Sequence, residues 1–249
     1  MHKVQVYFIG AGTGDPELIT VKGKRLIQEA DLVLYAGSLV PQALVTEAKP
    51  EARVEDSSPM TLEQTHALIM ATVAQGGMVA RVHTGDPSLY GAVREQARLL
   101  EVESVAWEQV PGVSAVFAAA GAAKESLTIP ELRQSLIVTR APGRTPVPES
   151  ESLRSLAAHK AAMAVYLSGS DVETVVSELQ AGGLDGETLI IAAHRLGWPG
   201  EKVVRSTLAE IAEDMEPGME RQTVFLILPG EGGGVSRLYA EGFSHGFRP

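Results

Sequence analysis

The chain has no cysteine among its 249 residues. That excludes disulfides, thiol nucleophiles, thiolate-held zinc and iron–sulfur clusters. Basic residues are also scarce: 21 Lys and Arg stand against 31 Asp and Glu, a formal charge of −10. Such a deficit argues against broad attraction to nucleic acid or an anionic membrane, though a local basic pocket remains open. No run of about 18 apolar residues occurs, so no transmembrane helix is expected. The opening Met1-His-Lys-Val-Gln-Val-Tyr-Phe-Ile9 lacks the charged-then-apolar pattern of a leader and reads directly as a strand. A soluble cytoplasmic protein is the expectation. Six histidines, at 2, 66, 83, 159, 194 and 245, are scattered. None forms an i, i+4 pair around a carboxylate, so no protein-held metal is expected.

What the chain does have is alternation. Short apolar runs end at Gly or Pro and feed amphipathic stretches. Strands are expected at Val4–Ile9, Asp31–Tyr35, Arg53–Asp56, Met78–His83 and Val105–Val110. Five more are expected at Ser135–Arg140, Ala162–Ser168, Thr188–His194, Val203–Ser206 and Gln222–Leu228. Helical patterns lie between most of them. Thr61-Leu-Glu-Gln64 has the spacing of a capping box. Beyond Pro229 the tail is glycine-rich and weakly patterned, and it is expected to be partly loose. The fold class is therefore α/β, in two unlike halves of about five strands each, with largely parallel sheets. A break near Pro111–Ser114 divides the halves into 1–113 and 114–249.

Several familiar sites can be tested against this pattern. Gly10-Ala-Gly-Thr-Gly14 follows the first strand, but Asp15 stands where a dinucleotide pyrophosphate would approach, and the second strand ends at Tyr35-Ala36 with no acid for a ribose. Gly23-Lys24 lacks both the earlier glycine and the following hydroxyl of a P-loop. Pro111-Gly-Val-Ser114-Ala-Val116 approaches a serine-hydrolase elbow, but Val116 stands where that turn needs glycine. Ser114 reads equally well as a helix cap. Gly85-Asp86-Pro87 ends a buried strand, and the carboxyl edge of an open α/β sheet is where ligands sit. Asp86 either meets a ligand or braces its own turn. His83 and His194 lie at strand ends, where a satisfied structural role is the simpler reading. Arg81, Arg94, Arg133, Arg140, Arg144, Arg195 and Lys202 lie near loops and together would suit a polyanionic small molecule.

As an ordered set these pieces resemble the tetrapyrrole methylase family. The set runs from Val6-Tyr-Phe-Ile-Gly-Ala-Gly-Thr-Gly-Asp-Pro16, with Leu18 and Thr20, through Ala30-Asp31 to Gly85-Asp-Pro-Ser-Leu-Tyr-Gly91 and Val110-Pro-Gly-Val-Ser114. The resemblance spans about Val4 to Pro229. Further stretches resemble the branch that methylates C11 of precorrin-4 or its cobalt form: Tyr35-Ala-Gly-Ser-Leu-Val40, Ser58-Pro-Met-Thr-Leu-Glu63, Gly143-Arg-Thr-Pro-Val-Pro148 and Trp198-Pro-Gly-Glu-Lys202. The uroporphyrinogen branch has Pro at the place of Thr13, Asp at the place of Ala36, and a Gly-Lys-Arg segment near Glu55-Asp-Ser57. Those departures argue against it.

The resemblance implies two unlike α/β domains, a homodimer, and S-adenosylmethionine in the cleft between the domains, with S-adenosylhomocysteine as product. It assigns Gly85, Asp86, Leu89, Ser114, Ala115, Leu167, Arg195, Leu196 and Thr223 to the cofactor. It assigns Gly12, Thr13, Gly14 and Met60 to the tetrapyrrole; Arg144 or Arg195 is expected to grip its carboxylates. No general base is assigned. The implied reaction is an in-line methyl transfer to a ring carbon, which needs positioning rather than a covalent catalyst. A sibling methylase with another target, or a non-catalytic corrin carrier, are the alternatives.

Overall fold

The computed structural model describes residues 3–230 together with 232, 236 and 244. His2, His245 and nearly all of the tail expected to be loose lie outside the described residues. The chain forms two compact units. One holds the residues up to Ala118 and the short segment Leu196–Pro199; the other holds Ala119–Arg195 and the described residues from Gly200 onward.

In the first unit, chain order is β1 (Val6–Gly10), α1 (Val21–Glu29), β2 (Leu32–Tyr35), α2 (Gln42–Val45), β3 (Arg53–Asp56), α3 (Leu62–Ala74), β4 (Val79–His83), α4 (Val93–Val102) and β5 (Trp107–Val110). The five strands form one sheet in the order β3-β2-β4-β1-β5, every pairing parallel. Side-chain alternation sorts the core. Val6, Phe8, Leu32, Leu34 and Val79 face α3 and α4, while Ile9, Val33, Ala80 and Val82 face α1 and α2. The capping box expected at Thr61 forms: the Gln64 N–H donates to Thr61 Oγ1 at 3.3 Å, and the Thr61 N–H to Gln64 Oε1 at 2.9 Å.

Helix α5 (Ala115–Ala123) follows. The second unit then runs β6 (Leu136–Arg140), α6 (Leu153–Ala157), β7 (Ala162–Tyr166), α7 (Val172–Ala181), β8 (Leu189–His194), β9 (Lys202–Thr207), α8 (Ile211–Asp214) and β10 (Thr223–Leu228). Its sheet is ordered β6-β7-β10-β8-β9. Only β6–β7 is parallel; the other three pairings are antiparallel, so this sheet is mixed rather than largely parallel. The cause lies in the connections. The link between β8 and β9 carries no helix and is too short for a crossover, so β9 turns back as a hairpin. β10 enters between β7 and β8 and also runs opposite to them. All its residues are buried, with Phe225 and Ile227 in a core that includes Met163, Val165, Val175 and Leu179.

The carboxyl edge of the first sheet is held together largely by backbone contacts. A Cβ on Gly10 would sit 2.6 Å from both Gly112 Cα and the Gly85 carbonyl oxygen. Gly12 and Gly85 exchange two hydrogen bonds, at 3.2 and 2.6 Å, and the Ala11 N–H donates to the His83 carbonyl at 2.8 Å. Gly10→Ala should therefore cost about 2–3 kcal/mol in urea unfolding, because rigid backbone must move to admit a methyl group. Gly121→Ala, in α5 with nothing within 4 Å, should instead gain roughly 0.5–1 kcal/mol in the same measurement.

Candidate functional site

Beyond β4 the chain turns at Gly85, whose φ of +62° is one that residues with a Cβ rarely adopt. Asp86 braces this turn. One carboxylate oxygen accepts from the Ser88 N–H at 2.8 Å and from the Ser88 hydroxyl; the other accepts from the Gly112 N–H at 3.0 Å. Burial opposes ionisation here, but the bonds from Ser88 and Gly112 together outweigh it and hold the carboxyl below its ordinary range. Both oxygens thus serve the protein. The neighbouring Gly85 backbone faces open space, since an added Cβ would approach only Ser114 Cα, at 3.8 Å. Leu89 is half-buried, its N–H donating to the Asp86 carbonyl. Ser114 is buried and its carbonyl accepts the first-turn N–H groups of Phe117 and Ala118, so that Ala115 opens α5.

The loop after β1 lies beside this turn. Gly12 has φ +75°, and Leu18 packs where its side chain would be. Thr13 is buried and its Oγ1 has no hydrogen-bond partner. The Gly14 N–H donates to the Leu196 carbonyl at 2.8 Å, which brings a segment from late in the chain onto this loop. Met60, after β3, is half-buried against the core of Val6 and Phe8.

Two charged or titratable groups sit beneath the same edge, on the face covered by α3 and α4. Arg81 is buried, with Nε donating to Gln96 Oε1 at 2.9 Å and Nη1 to the Leu34 carbonyl at 3.1 Å. Burial lowers its pKa to about 10 against the opposing pull of Asp56. His83 is only 4% exposed, and its Nε2 has no partner. Burial, with Arg81 adding to it, pushes its pKa down to about 3, so the ring is neutral at physiological pH. The simpler expectation of a satisfied structural histidine therefore fails for His83. It holds for His194, whose Nδ1 lies 3.1 Å from Thr223 Oγ1.

In the second unit, β10 runs opposite to β8, so its first residue meets the last residue of β8: Thr223 pairs with His194. Thr223 is buried and its hydroxyl donates to the Met219 carbonyl at 2.6 Å. Leu167, just past β7, is 72% exposed and has φ +56°; Arg195, just past β8, has φ +49° and a buried, unpartnered Nε. A left-handed conformation at a residue with a Cβ costs about 1–2 kcal/mol, and two such residues on one sheet edge point to a site. The Ser168 hydroxyl secures the turn after Leu167 by donating to the Tyr166 carbonyl and accepting from the Ala141 N–H. Arg144 is exposed on a loop that Arg140 pins through the carbonyls of Ala141, Thr145 and Pro146.

The first unit thus gathers Gly12–Gly14, Gly85, Asp86, Leu89, Ser114, Ala115 and Leu196 around the carboxyl ends of β1, β4 and β5. The second gathers Leu167, Arg195 and Thr223 at one edge of its sheet. Sequence reasoning missed the unpartnered His83 and the return of the Leu196 segment. Its only signals for them were the strand-end position of His83 and the Trp198-Pro199 pair. Among the described residues no three side chains converge as a metal site would require. No helix among them is long and apolar enough to cross a membrane. The edges offer backbone groups and unpartnered side-chain atoms rather than a nucleophile with its base. Such surfaces bind and orient a small molecule.

Residues 5–212 match the family of Tetrapyrrole (Corrin/Porphyrin) Methylases, and the chain belongs to that family. It is similar to the cobalt-precorrin-4 C(11)-methyltransferase of Priestia megaterium, 46% identical over 98% of either chain. The enzyme of the same name from Methanocaldococcus jannaschii is 44% identical over 98% of this chain and 96% of its own. Among solved structures, a cobalamin biosynthetic enzyme, cobalt precorrin-4 methyltransferase, matches with a TM-score of 0.88 and 47% identity, covering 90% of this chain and 94% of the other. The uroporphyrin-III C-methyltransferase of Thermus thermophilus, crystallised with S-adenosylhomocysteine, matches with a TM-score of 0.74 and 28% identity, covering 90% and 97%.

The depressed pKa of His83 has a measurable consequence. Above pH 6.5 the ring is neutral whether folded or unfolded. Below it the unfolded chain takes up a proton that the folded chain refuses until about pH 3. Stability should therefore fall as pH drops from 6.5 toward 3. In His83→Gln this part of the slope should vanish, read by urea unfolding at a series of pH values.

Proposed function

We propose that this protein transfers a methyl group from S-adenosylmethionine to C11 of precorrin-4 or its cobalt form, in cobalamin biosynthesis. The observation that carries this reading is the likeness along nearly the whole chain to enzymes named for that reaction. When bound, S-adenosylmethionine supplies an electrophilic methyl group, so the protein's residues need only bind, orient and exclude water.

The donor is assigned to the glycine turn of the first unit and to the strained edge of the second. The open Gly85 backbone, held by the Asp86 brace, fits a ligand that must approach main chain closely. Leu89, Ser114, Ala115 and Leu196 complete the donor's surroundings in that unit, and Leu167, Arg195 and Thr223 are assigned to it in the second. The unpartnered Nε of Arg195 supports a polar ligand there. The tetrapyrrole is assigned to Gly12, Thr13, Gly14 and Met60, where the Thr13 hydroxyl is buried without a partner. Arg144, which is exposed, is assigned to the substrate's acetate and propionate groups. The family resemblance also supports a homodimer, which light scattering tests. A cytosolic methyl donor supports a cytoplasmic location, which fractionation tests.

Purified protein given labelled S-adenosylmethionine with precorrin-4, and separately with the cobalt form, should yield a product heavier by one methyl substitution. Its NMR spectrum should locate the new group at C11. Label arriving at another ring position, or none transferred, would overturn the reading. Gly85→Arg should abolish S-adenosylhomocysteine binding in calorimetry, since a long side chain would enter the open space beside Ser114. Undiminished affinity in a folded variant would remove the donor from that edge.

A further inference from the structure

The segment Leu196–Pro199 is packed into the first unit although its neighbours on both sides belong to the second. Its large side chain there is Trp198. A Cβ on Gly14 would lie 2.5 Å from Trp198 Cγ and Nε1, so the indole rests directly on the Gly14 backbone. Two further contacts hold it in place. The Gly14 N–H donates to the Leu196 carbonyl, and Gly197, at φ +76°, packs so closely that a Cβ would fall 2.9 Å from Asp15 Cβ.

This seating leaves part of the ring open. Trp198 is half-buried. Beneath it, the hydroxyl of the adjoining Thr13 is buried and has no hydrogen-bond partner. An indole that served only to pin two loops would be expected to bury its ring. Here a partly open π-surface lies on the loop assigned to the tetrapyrrole.

We propose that Trp198 is a substrate-positioning residue: the indole, seated on Gly14, is an aromatic support for the conjugated macrocycle, with its N–H available to a ring carboxylate. The proposal rests on the reading of the chain as a tetrapyrrole methylase, and it adds a residue with a role in substrate placement that the donor does not share. Stacking on an aromatic ring tolerates the flat faces of a macrocycle, and the N–H adds direction.

The test separates substrate from donor. Wild-type turnover with precorrin-4 or its cobalt form first establishes the parent reading; without turnover that reading fails, whatever Trp198 does. Given turnover, Trp198→Ala should raise KM for the tetrapyrrole about tenfold, equivalent to about 1.4 kcal/mol, and leave S-adenosylhomocysteine affinity within twofold. Trp198→Phe, which keeps a ring and loses the N–H, should fall between. An unchanged KM in either folded variant, or equal losses for substrate and donor, would overturn the proposal. A second measurement needs no variant. The chain has two tryptophans; Trp107, also half-buried, packs edge-on against Phe8, and peptide mass distinguishes the two. N-bromosuccinimide should oxidise Trp198 in the free enzyme. Substrate should protect it and S-adenosylhomocysteine should not, as read by peptide mass. Oxidation undiminished by substrate would sink the idea even if Trp198→Ala failed to fold.

Discussion

The close approach of three glycines underlies everything at the first unit's carboxyl edge. Gly10, Gly85 and Gly112 come from the ends of three neighbouring strands, and a side chain on Gly10 or Gly112 would run into the backbone of the other two. Parallel strands ordinarily separate into independent loops at this edge. Here the loops are fastened to one another by the Gly12–Gly85 exchange and the Asp86 carboxylate before any ligand arrives. Backbone held at this spacing loses little entropy on binding, which is the condition for a site that works by orientation.

Charge is handled differently above and below that edge. Asp86, at the edge, stays ionised because it accepts hydrogen bonds from Ser88 and Gly112. Beneath it, Arg81 spends its donors on Gln96 and the Leu34 carbonyl, and its buried charge helps keep His83 neutral. A neutral imidazole next to a buried cation is the stable choice, since two adjacent positive charges in the core would each lose hydration without compensation. The ring therefore stays uncharged while Asp86 carries its charge, although both lie close to the same turn.

Much of the architecture was legible in the sequence because it rests on local rules. β3 occupies Arg53–Asp56 as its pattern predicted, and the Thr61 capping box formed as its spacing required. Strand direction was not legible for β9 and β10. A buried strand has the same side-chain pattern whichever way it runs, so only the helix-free link after β8 hinted at reversal. The Gly85 edge could be read because a strand ending in Gly-Asp-Pro has few alternatives. The choice between a ligand-facing and a bracing Asp86 could not, since it depends on Gly112, far along the chain. The unpartnered Nε2 of His83 and the seat of Trp198 on Gly14 likewise depend on tertiary neighbours that no local spacing encodes.

The Leu196–Pro199 segment also sets an order on biosynthesis. The Gly14 N–H obtains its partner, the Leu196 carbonyl, only when most of the chain has been made. During translation the first unit can assemble its sheet early, since all five strands precede Ala118, while its glycine loop stays open. A product truncated between residues 118 and 196 would carry all five strands of that sheet with an unfinished loop.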